Sequence, residues 1–289
     1  MIATVKATLP NMPLEQGTHS SLPPDHMIER IAFMSDVANG YSVAHGLPFP
    51  VQMKAVLIPA DAVLETDLIS IQLLLIPASE QDDRDRSTAA RAWVESGGGQ
   101  VDRCMPIVLQ GAQIFWSQSR TAIIAAAERL HAVRSAVIEF CFFESELRDV
   151  ERQIGDRWSQ LDVDTPLAFE FHEQAISERK ELMQRFRVII GLRSRGVRMA
   201  PHIQCPHVFP PTLASQISER MREKSRVAER LEFMREQIEV FEKVYEMCSQ
   251  RASDFVANRT SHMLEWVIIL LLAAETILLV VDLLSSAGT

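Results

Sequence analysis

The longest apolar run of the chain lies near its end, from Met263 to Leu284. Fourteen of its residues are Leu, Ile or Val, interrupted by Glu265, Glu275 and Asp282. A helix needs about 20 mostly apolar residues to cross a bilayer. On an insertion scale the fourteen contribute about −4 to −8 kcal/mol, whereas one central charge costs about +2.5 to +3.5 kcal/mol. We therefore predict a transmembrane helix over 263–284; the alternative is a buried core helix.

The polar residues of this run stand at its ends and its centre. Leu264, Glu265 and Trp266 lie at its start, where a carboxylate and an aromatic ring reach the lipid headgroups. Glu275 lies about 15 Å further along the helix, close to the bilayer midplane, with Asp282 on nearly the same face. An intramembrane carboxylate is by default a functional or pairing residue. We predict that Glu275 serves helix association; the alternatives are a carboxyl group tolerated in lipid and a part in ion transport.

The charges that flank the run predict its orientation. Lys243, Arg251 and Arg259 precede it, whereas the tail, 285–289, contains no Lys or Arg. An excess of Lys and Arg marks the cytoplasmic side. We predict a single-pass membrane protein with a C-terminal anchor and its N-terminal domain on the cytoplasmic side, or on the matrix side in a mitochondrion.

Shorter apolar runs upstream predict a sheet. The runs Val51–Pro59 and Leu68–Pro77, each ended by proline, indicate two buried strands. Met105–Gln118 indicates two strands around a glycine, or one strand with a bulge. A helix over Ser119–Arg134 and a strand over Ala136–Phe143 are predicted next. The mixture of strands and helices indicates an α+β or α/β layer domain. For the whole chain we predict the α+β class, with a sheet-and-helix N-terminal domain, a long C-terminal helical stalk and one transmembrane helix.

The remaining segments complete a predicted order of domains. The first fifty residues are rich in Pro, Ser, Asn and Gly, which indicates a mobile leader with one helix-like patch at His26–Val37. After Phe143 the spacing is helical, except for a proline-containing loop over Gly191–Thr212, and one helix is predicted from Leu213 almost unbroken to the membrane. The predicted domains are a leader (1–50), a sheet domain (51–143), a helical region with a long stalk helix (144–262), a transmembrane helix (263–284) and a tail (285–289).

The stalk helix carries a heptad pattern. Its apolar a and d positions are Leu231, Met234, Ile238, Phe241, Tyr245, Cys248, Ala252 and Phe255. So few heptads allow two interpretations. The pattern marks either a coiled-coil seam between copies or a long helix packed on its own domain.

Composition narrows the function classes. The apolar fraction of 47% is ordinary for a globular chain. The net charge of −9 argues against a protein that coats nucleic acid, and no DNA partner is expected. Cys104, Cys141, Cys205 and Cys248 show no metal-type spacing, so reduced structural thiols are predicted.

One region of this acidic chain is basic. It could contact anionic lipid headgroups, ribosomal RNA or a protein partner, or be a solvated helix face that pairs with acids of the chain. Its residues are Arg179, Lys180, Arg185, Arg187, Arg193, Arg195 and Arg198.

Several short motifs lack residues that known ligand-binding patterns require. The glycine triplet at 97–99 lacks the Lys-Ser or Lys-Thr of a phosphate loop, and the His-Glu pair at 172–173 lacks the second histidine of a zinc-protease helix. His202, Cys205 and His207 are one ligand short of a structural zinc site. We therefore expect no catalytic residue, no metal and no cofactor.

The chain ends with the motif H-x-L-E-W-x-I-I at 262–269, followed by Glu275, and the predicted hairpin upstream contains Gly111, Phe115 and Trp116. These motifs resemble the required-for-meiotic-nuclear-division (RMND, Sif-type) family of membrane proteins with a domain of unknown function. Met263 and Gln110 depart from the family pattern, which fits a divergent bacterial member and therefore favours the bacterial inner membrane. The resemblance implies a membrane-anchored oligomer without assigned catalytic activity, and mitochondrial members support translation at the inner membrane.

The predicted function is a non-enzymatic, membrane-anchored scaffold or adaptor that self-associates and recruits a cytoplasmic partner. The resemblance suggests support of translation at the membrane, with a protein or the ribosome as partner. Two alternatives are an enzyme on the α/β domain and, less favoured, an ion-transport component.

Overall fold

The computed structural model describes residues 22–37, 41–47, 52–60, 62, 69–78, 83–97, 104–169, 179–204 and 212–287. The chain divides into two compact units. The first comprises Met1–Val150 and Gly196–Glu232, and the second comprises Glu151–Arg195 and Phe233–Thr289. The fold class is α+β, as predicted.

The first unit is built on a seven-stranded mixed sheet with the strand order β2-β3-β1-β4-β7-β6-β5. Strands β4 and β7 pair in parallel, and the other described neighbours pair antiparallel. The strands are β1 (Met27–Met34), β2 (Ser42–Gly46), β3 (Lys54–Ile58), β4 (Ser70–Pro77), β5 (Met105–Leu109), β6 (Ala112–Trp116) and β7 (Arg120–Ala125).

Helices cover both faces of this sheet. Helix α1 (Asp83–Glu95) packs Trp93 and Val94 against one face, in a cluster with Leu74 and Ile124. Helix α2 (Ala127–Gly155) lies on the other face, where Phe142 contacts Phe33 at 5.1 Å between ring centroids. A strand buried on both faces needs apolar residues at every position. This explains the unbroken apolar stretches Leu73–Pro77 of β4 and Ala122–Ala125 of β7.

The hairpin between β5 and β6 confirms the two-strand interpretation of Met105–Gln118. Its two turn residues, Gln110 and Gly111, have φ values of 48° and 82°. Two consecutive positive φ values belong to the type I′ turn, whose twist matches that of antiparallel strands. The predicted strands at 51–59 and 68–77 are likewise confirmed by β3 and β4.

The prediction of a leader without core value is wrong for part of 1–50. The helix-like patch at His26–Val37 contains β1, which lies between β3 and β4, and its residues Ile31, Ala32 and Phe33 are buried. Strand β2 also falls in this region. The partners of β1 lie 20 to 48 positions further along the chain, so this strand pairing could not be predicted from the local composition.

The prediction of a helix over Ser119–Arg134 is confirmed only for 127–134, which lie in α2, and the predicted strand over Ala136–Phe143 is wrong. Residues 120–125 form β7, and the apolar segment AVIEFCFF lies within α2. A short continuous apolar run has the same appearance in a buried strand and in a buried helix. Here the segment covers the sheet instead of joining it.

The remaining helices are α3 (Trp158–Asp164), followed by a 3₁₀ turn (Thr165–Ala168), and then α4 (Arg179–Gln204), α5 (Leu213–Lys224) and α6 (Val227–Ala287). Helix α4 occupies much of the predicted loop over Gly191–Thr212 and includes Pro201. The buried residues Met199, Ala200 and Ile203 hold this last part of α4 in place, so tertiary packing outweighs the proline.

The long helix predicted from Leu213 is divided once. Arg226 has a φ of 52°, a left-handed conformation that ends a helix, so α5 and α6 are separate. Thr212 begins α5 with a capping box in which its side chain accepts from the Ser215 backbone. Most of the 97–99 glycine triplet falls outside the described residues.

Candidate functional site

The first part of helix α6 is buried in the second unit. Its buried heptad residues there are Met234, Ile238, Phe241, Tyr245, Cys248 and Ala252. The α3 residue Trp158 contacts Phe241 edge-on at 4.9 Å, and the α4 residue Phe186 lies 6.4 Å from the Tyr245 ring. The interpretation of a helix packed on its own domain is thus confirmed. Because the chain itself fills this seam, the seam is not open to a coiled coil with a second copy.

A buried carboxylate fixes the three helices of this unit to one another. The Asp164 side chain is 2% exposed and lies at the end of α3. Arg185 of α4 donates to its Oδ1 at 2.6 Å, and the hydroxyl of Tyr245 on α6 donates to its Oδ2 at 3.1 Å. Gln160 adds a third hydrogen bond at 3.2 Å. A buried charge satisfied in this way holds its partners in one arrangement.

The same environment shifts the pKa of two neighbouring side chains. Burial, together with the Asp164 charge and the hydrogen bond to it, raises the pKa of Tyr245. Burial and the Asp164 charge raise the pKa of Cys248 to about 11. Both groups are therefore protonated at neutral pH and act as hydrogen-bond donors, the Cys248 thiol to the backbone carbonyl of Asp164 at 3.6 Å.

The second part of α6 is apolar and exposed. Helix α6 is the one described helix that is long and apolar enough to cross a membrane, judged by length and composition alone, and none of its apolar window is buried. Its large apolar side chains, among them Trp266, Leu270 and Leu278, are between about half and two thirds exposed. The predicted membrane helix is therefore a candidate membrane-spanning helix, consistent with a single-pass protein.

The polar residues of this segment have different surroundings. Glu265 lies 3.2 Å from His262 Nδ1, one turn earlier on the same helix, and Leu264 and Trp266 beside it are exposed. Glu275 is exposed, within the apolar segment. Asp282 belongs to α6, but its side chain lies outside the described part. The predicted anchoring and association roles of these five residues stay predictions.

The basic residues of α4 fall into two groups. Arg185 is bound to Asp164, and Arg193 pairs with Glu242 of α6, so these two join helices of the second unit. Arg195 is half-buried. The others, Arg179, Lys180, Arg187 and Arg198, are exposed. A smaller basic surface than the sequence suggested is therefore open to a partner.

The first unit contains a second buried carboxylate, Glu144 of α2. It is 2% exposed and accepts from Arg148 at 2.6 Å and from Arg230 at 2.7 Å. Beside it lies a small pocket whose wall includes His202, stacked on Phe143 with 4.7 Å between centroids. The pocket has a volume of about 10 Å³, room for at most about one water molecule and far below the range of about 300–1,000 Å³ usual for ligand sites.

The metal motifs considered in the sequence gain no support from the described residues. His202 lies on α4 against Phe143, whereas Cys205, His207 and the 172–173 pair fall outside the described part. Across the described ranges, no group of three or more His, Cys, Asp or Glu residues is arranged to hold a metal ion.

Sequence reasoning missed both buried carboxylates. Asp164 meets Arg185 and Tyr245 at separations of 21 and 81 residues, and Glu144 meets Arg230 at 86. No local pattern distinguishes such an acid from a solvated one, because burial depends on partners distant in the chain. No protein-family model and no curated protein matches the sequence.

Proposed function

We propose that the protein is a non-enzymatic adaptor of the bacterial inner membrane, anchored by α6, with its folded units on the cytoplasmic side. It self-associates and recruits a cytoplasmic protein or ribonucleoprotein partner to the membrane. The observation that carries the proposal is the continuity of α6. One helix of 61 residues supplies buried core to the second unit and then an apolar, exposed segment.

This continuity has a mechanical consequence. The last fully buried residue of α6 is Ala252, and the apolar segment begins at Met263. The intervening helix is about 16 Å long, since each residue adds about 1.5 Å. A continuous helix transmits orientation as well as attachment, so the second unit stands at a defined height above the bilayer. A flexible tether would attach the protein without fixing its orientation or its height, and this difference favours an adaptor that presents a fixed surface.

The height of the basic residues favours a macromolecular partner over lipid. Phe186 lies level with Tyr245, so Arg187 stands about 18 residues, or about 27 Å, from Met263 along α6. Electrostatic attraction to headgroups is screened within a Debye length of about 8 Å. Exposed arginine at this height is therefore placed to meet a partner in the cytoplasm. The resemblance to the RMND family suggests the ribosome as that partner.

Truncation tests the anchor. Removal of 263–289 should release the protein into the soluble fraction, because the apolar segment is lost. The matched control, removal of 285–289 alone, should stay in the membrane through alkaline extraction. A protein that remains integral after the longer truncation contradicts the anchor.

Ribosome binding is tested by co-sedimentation of the detergent-solubilised full-length protein with purified ribosomes. We expect binding that is lost in a variant carrying both Lys180→Glu and Arg187→Glu. The control, Arg220→Glu, reverses the charge of an exposed side chain on α5, outside the basic region. Equal binding by the two variants refutes a role for the basic residues, and no binding by the unaltered protein refutes the ribosome as partner.

A further inference from the structure

Glu275 lacks a partner in its own chain within the part of the structure that is described. Glu265, one of the other acids of the segment, is close to His262 at 3.2 Å. The window of α6 around Glu275, in contrast, is wholly exposed, so no other described element lies against it. A polar or ionisable side chain near the bilayer centre is costly and almost always faces a polar partner. Since none of the described residues supplies such a partner, the structure points to a partner from another molecule.

The neighbouring polar group does not supply that partner. The hydroxyl of Thr276 donates to the Leu272 carbonyl of its own helix at 2.6 Å. Both are part of the same turn as Glu275, and the hydroxyl is already used. Among the described residues, Glu275 thus remains a carboxyl group without a hydrogen-bond partner near the centre of the apolar segment.

A second copy of the chain is a partner that has its own Glu275 at a matching depth in the bilayer. Copies anchored by the same helix have Glu275 at the same depth, and rotation about the membrane normal keeps that depth. Two parallel helices that meet on the Glu275 face therefore bring the two carboxyl groups together. The other surface suited to association, the heptad seam of α6, is filled by the chain's own α3 and α4.

We propose that copies of this chain associate through a homotypic contact of the membrane segment, centred on paired Glu275 carboxyl groups. The proposal rests on the self-association in the proposed function and names its contact. In a helix, residues spaced by three, four and seven share one face. The contact face therefore includes Leu264, Ile268 and Leu271 on one side of Glu275, and Asp282 follows one heptad later.

Disulfide formation between copies tests the face. A cysteine on the contact face meets the same cysteine of a second copy at the same depth. In membranes treated with a copper–phenanthroline oxidant, single variants Ile268→Cys and Leu271→Cys should form disulfide dimers, in a background in which Cys104 and Cys205 are serine. The matched controls, Leu270→Cys and Ile277→Cys, lie on the opposite face and should form few. Cross-linking that favours the controls overturns the proposed face.

Substitution of Glu275 tests the carboxyl group itself. Glu275→Leu removes the hydrogen bond, and we expect the dissociation constant of the complex in detergent or lipid to rise about 3- to 30-fold, the range found for interhelical hydrogen bonds in membranes. Glu275→Gln keeps a hydrogen-bonding side chain and should restore most of the association. Glu265→Gln, at the start of the segment, should change it little. A Leu variant that associates as well as the unaltered protein refutes the proposal.

The experiments distinguish a failure of the proposed Glu275 contact from a failure of the proposed function. If the protein forms an oligomer that is indifferent to Glu275 and gives no disulfide on this face, the contact is wrong and self-association stands. If the solubilised protein is a monomer and no variant gives disulfide dimers, self-association itself is refuted. Membrane attachment is judged separately, by the truncation series.

Discussion

Substitution of Asp164 by Asn gives the sharpest test of how the second unit is held together. The Asp164 carboxylate accepts from Arg185 and Tyr245, which belong to two other helices. Hydrogen bonds that involve a charged group contribute about 1.5–3 kcal/mol each. The Arg185 side chain is 29% exposed, so in the variant water can hydrate its guanidinium, which reduces the loss of stability. We therefore expect Asp164→Asn to lower the free energy of unfolding by about 2–3 kcal/mol.

The change is measured by thermal unfolding of the full-length protein in detergent, at one scan rate for all variants. A loss of 2–3 kcal/mol corresponds to a fall in Tm of about 4–10 °C for a chain of this size. The control is Asp162→Asn, an exposed acid on the same helix, which should shift the free energy by no more than about 0.5 kcal/mol.

A double-variant cycle checks the cause. If Asp164 acts through Arg185, then Arg185→Met should cost less in the Asp164→Asn background than alone, by at least about 0.5 kcal/mol. Equal effects of the two Asp→Asn changes, or strict additivity in the cycle, would refute the reasoning that a buried ion pair joins α3 to α4.

Two further predictions concern a pair of glycines and a buried thiol. At Gly97 a Cβ would lie 2.1 Å from Cδ of Arg120, whose guanidinium binds Gln72, so Gly97→Ala should destabilise the protein by about 1–3 kcal/mol. Gly191 of α4 has open space around it, so Gly191→Ala should stabilise the protein by up to about 1 kcal/mol. Thermal unfolding of the two variants measures both effects. Burial raises the pKa of the Cys141 thiol to about 12, so above about pH 9 the unfolded chain loses this proton first and the unfolding free energy should fall by about 1.4 kcal/mol per pH unit. Below pH 9 this contribution is constant, and Cys141→Ala should flatten the high-pH slope of Tm; an unchanged slope contradicts the assignment.

Several features of the protein could be predicted from the sequence because they depend on local properties. The length and apolarity of 263–284 suffice to predict a candidate membrane helix. The runs that form β3 and β4 end at Pro59 and Pro77, and Gly111 permits the positive φ that the β5–β6 turn needs. In each case, a property of consecutive residues limits the conformations available to them.

Other features depended on contacts between residues distant in the chain. The segment AVIEFCFF is helical because it covers the sheet, and β1 is a strand because β3 and β4 pair with it. The heptad pattern alone could not distinguish a partner helix of a second copy from α3 and α4 of the same chain. Tertiary structure decided these points, since the apolar surface of an element specifies that it is buried and leaves open what buries it. The same holds for Asp164, whose partners lie 21 and 81 residues away.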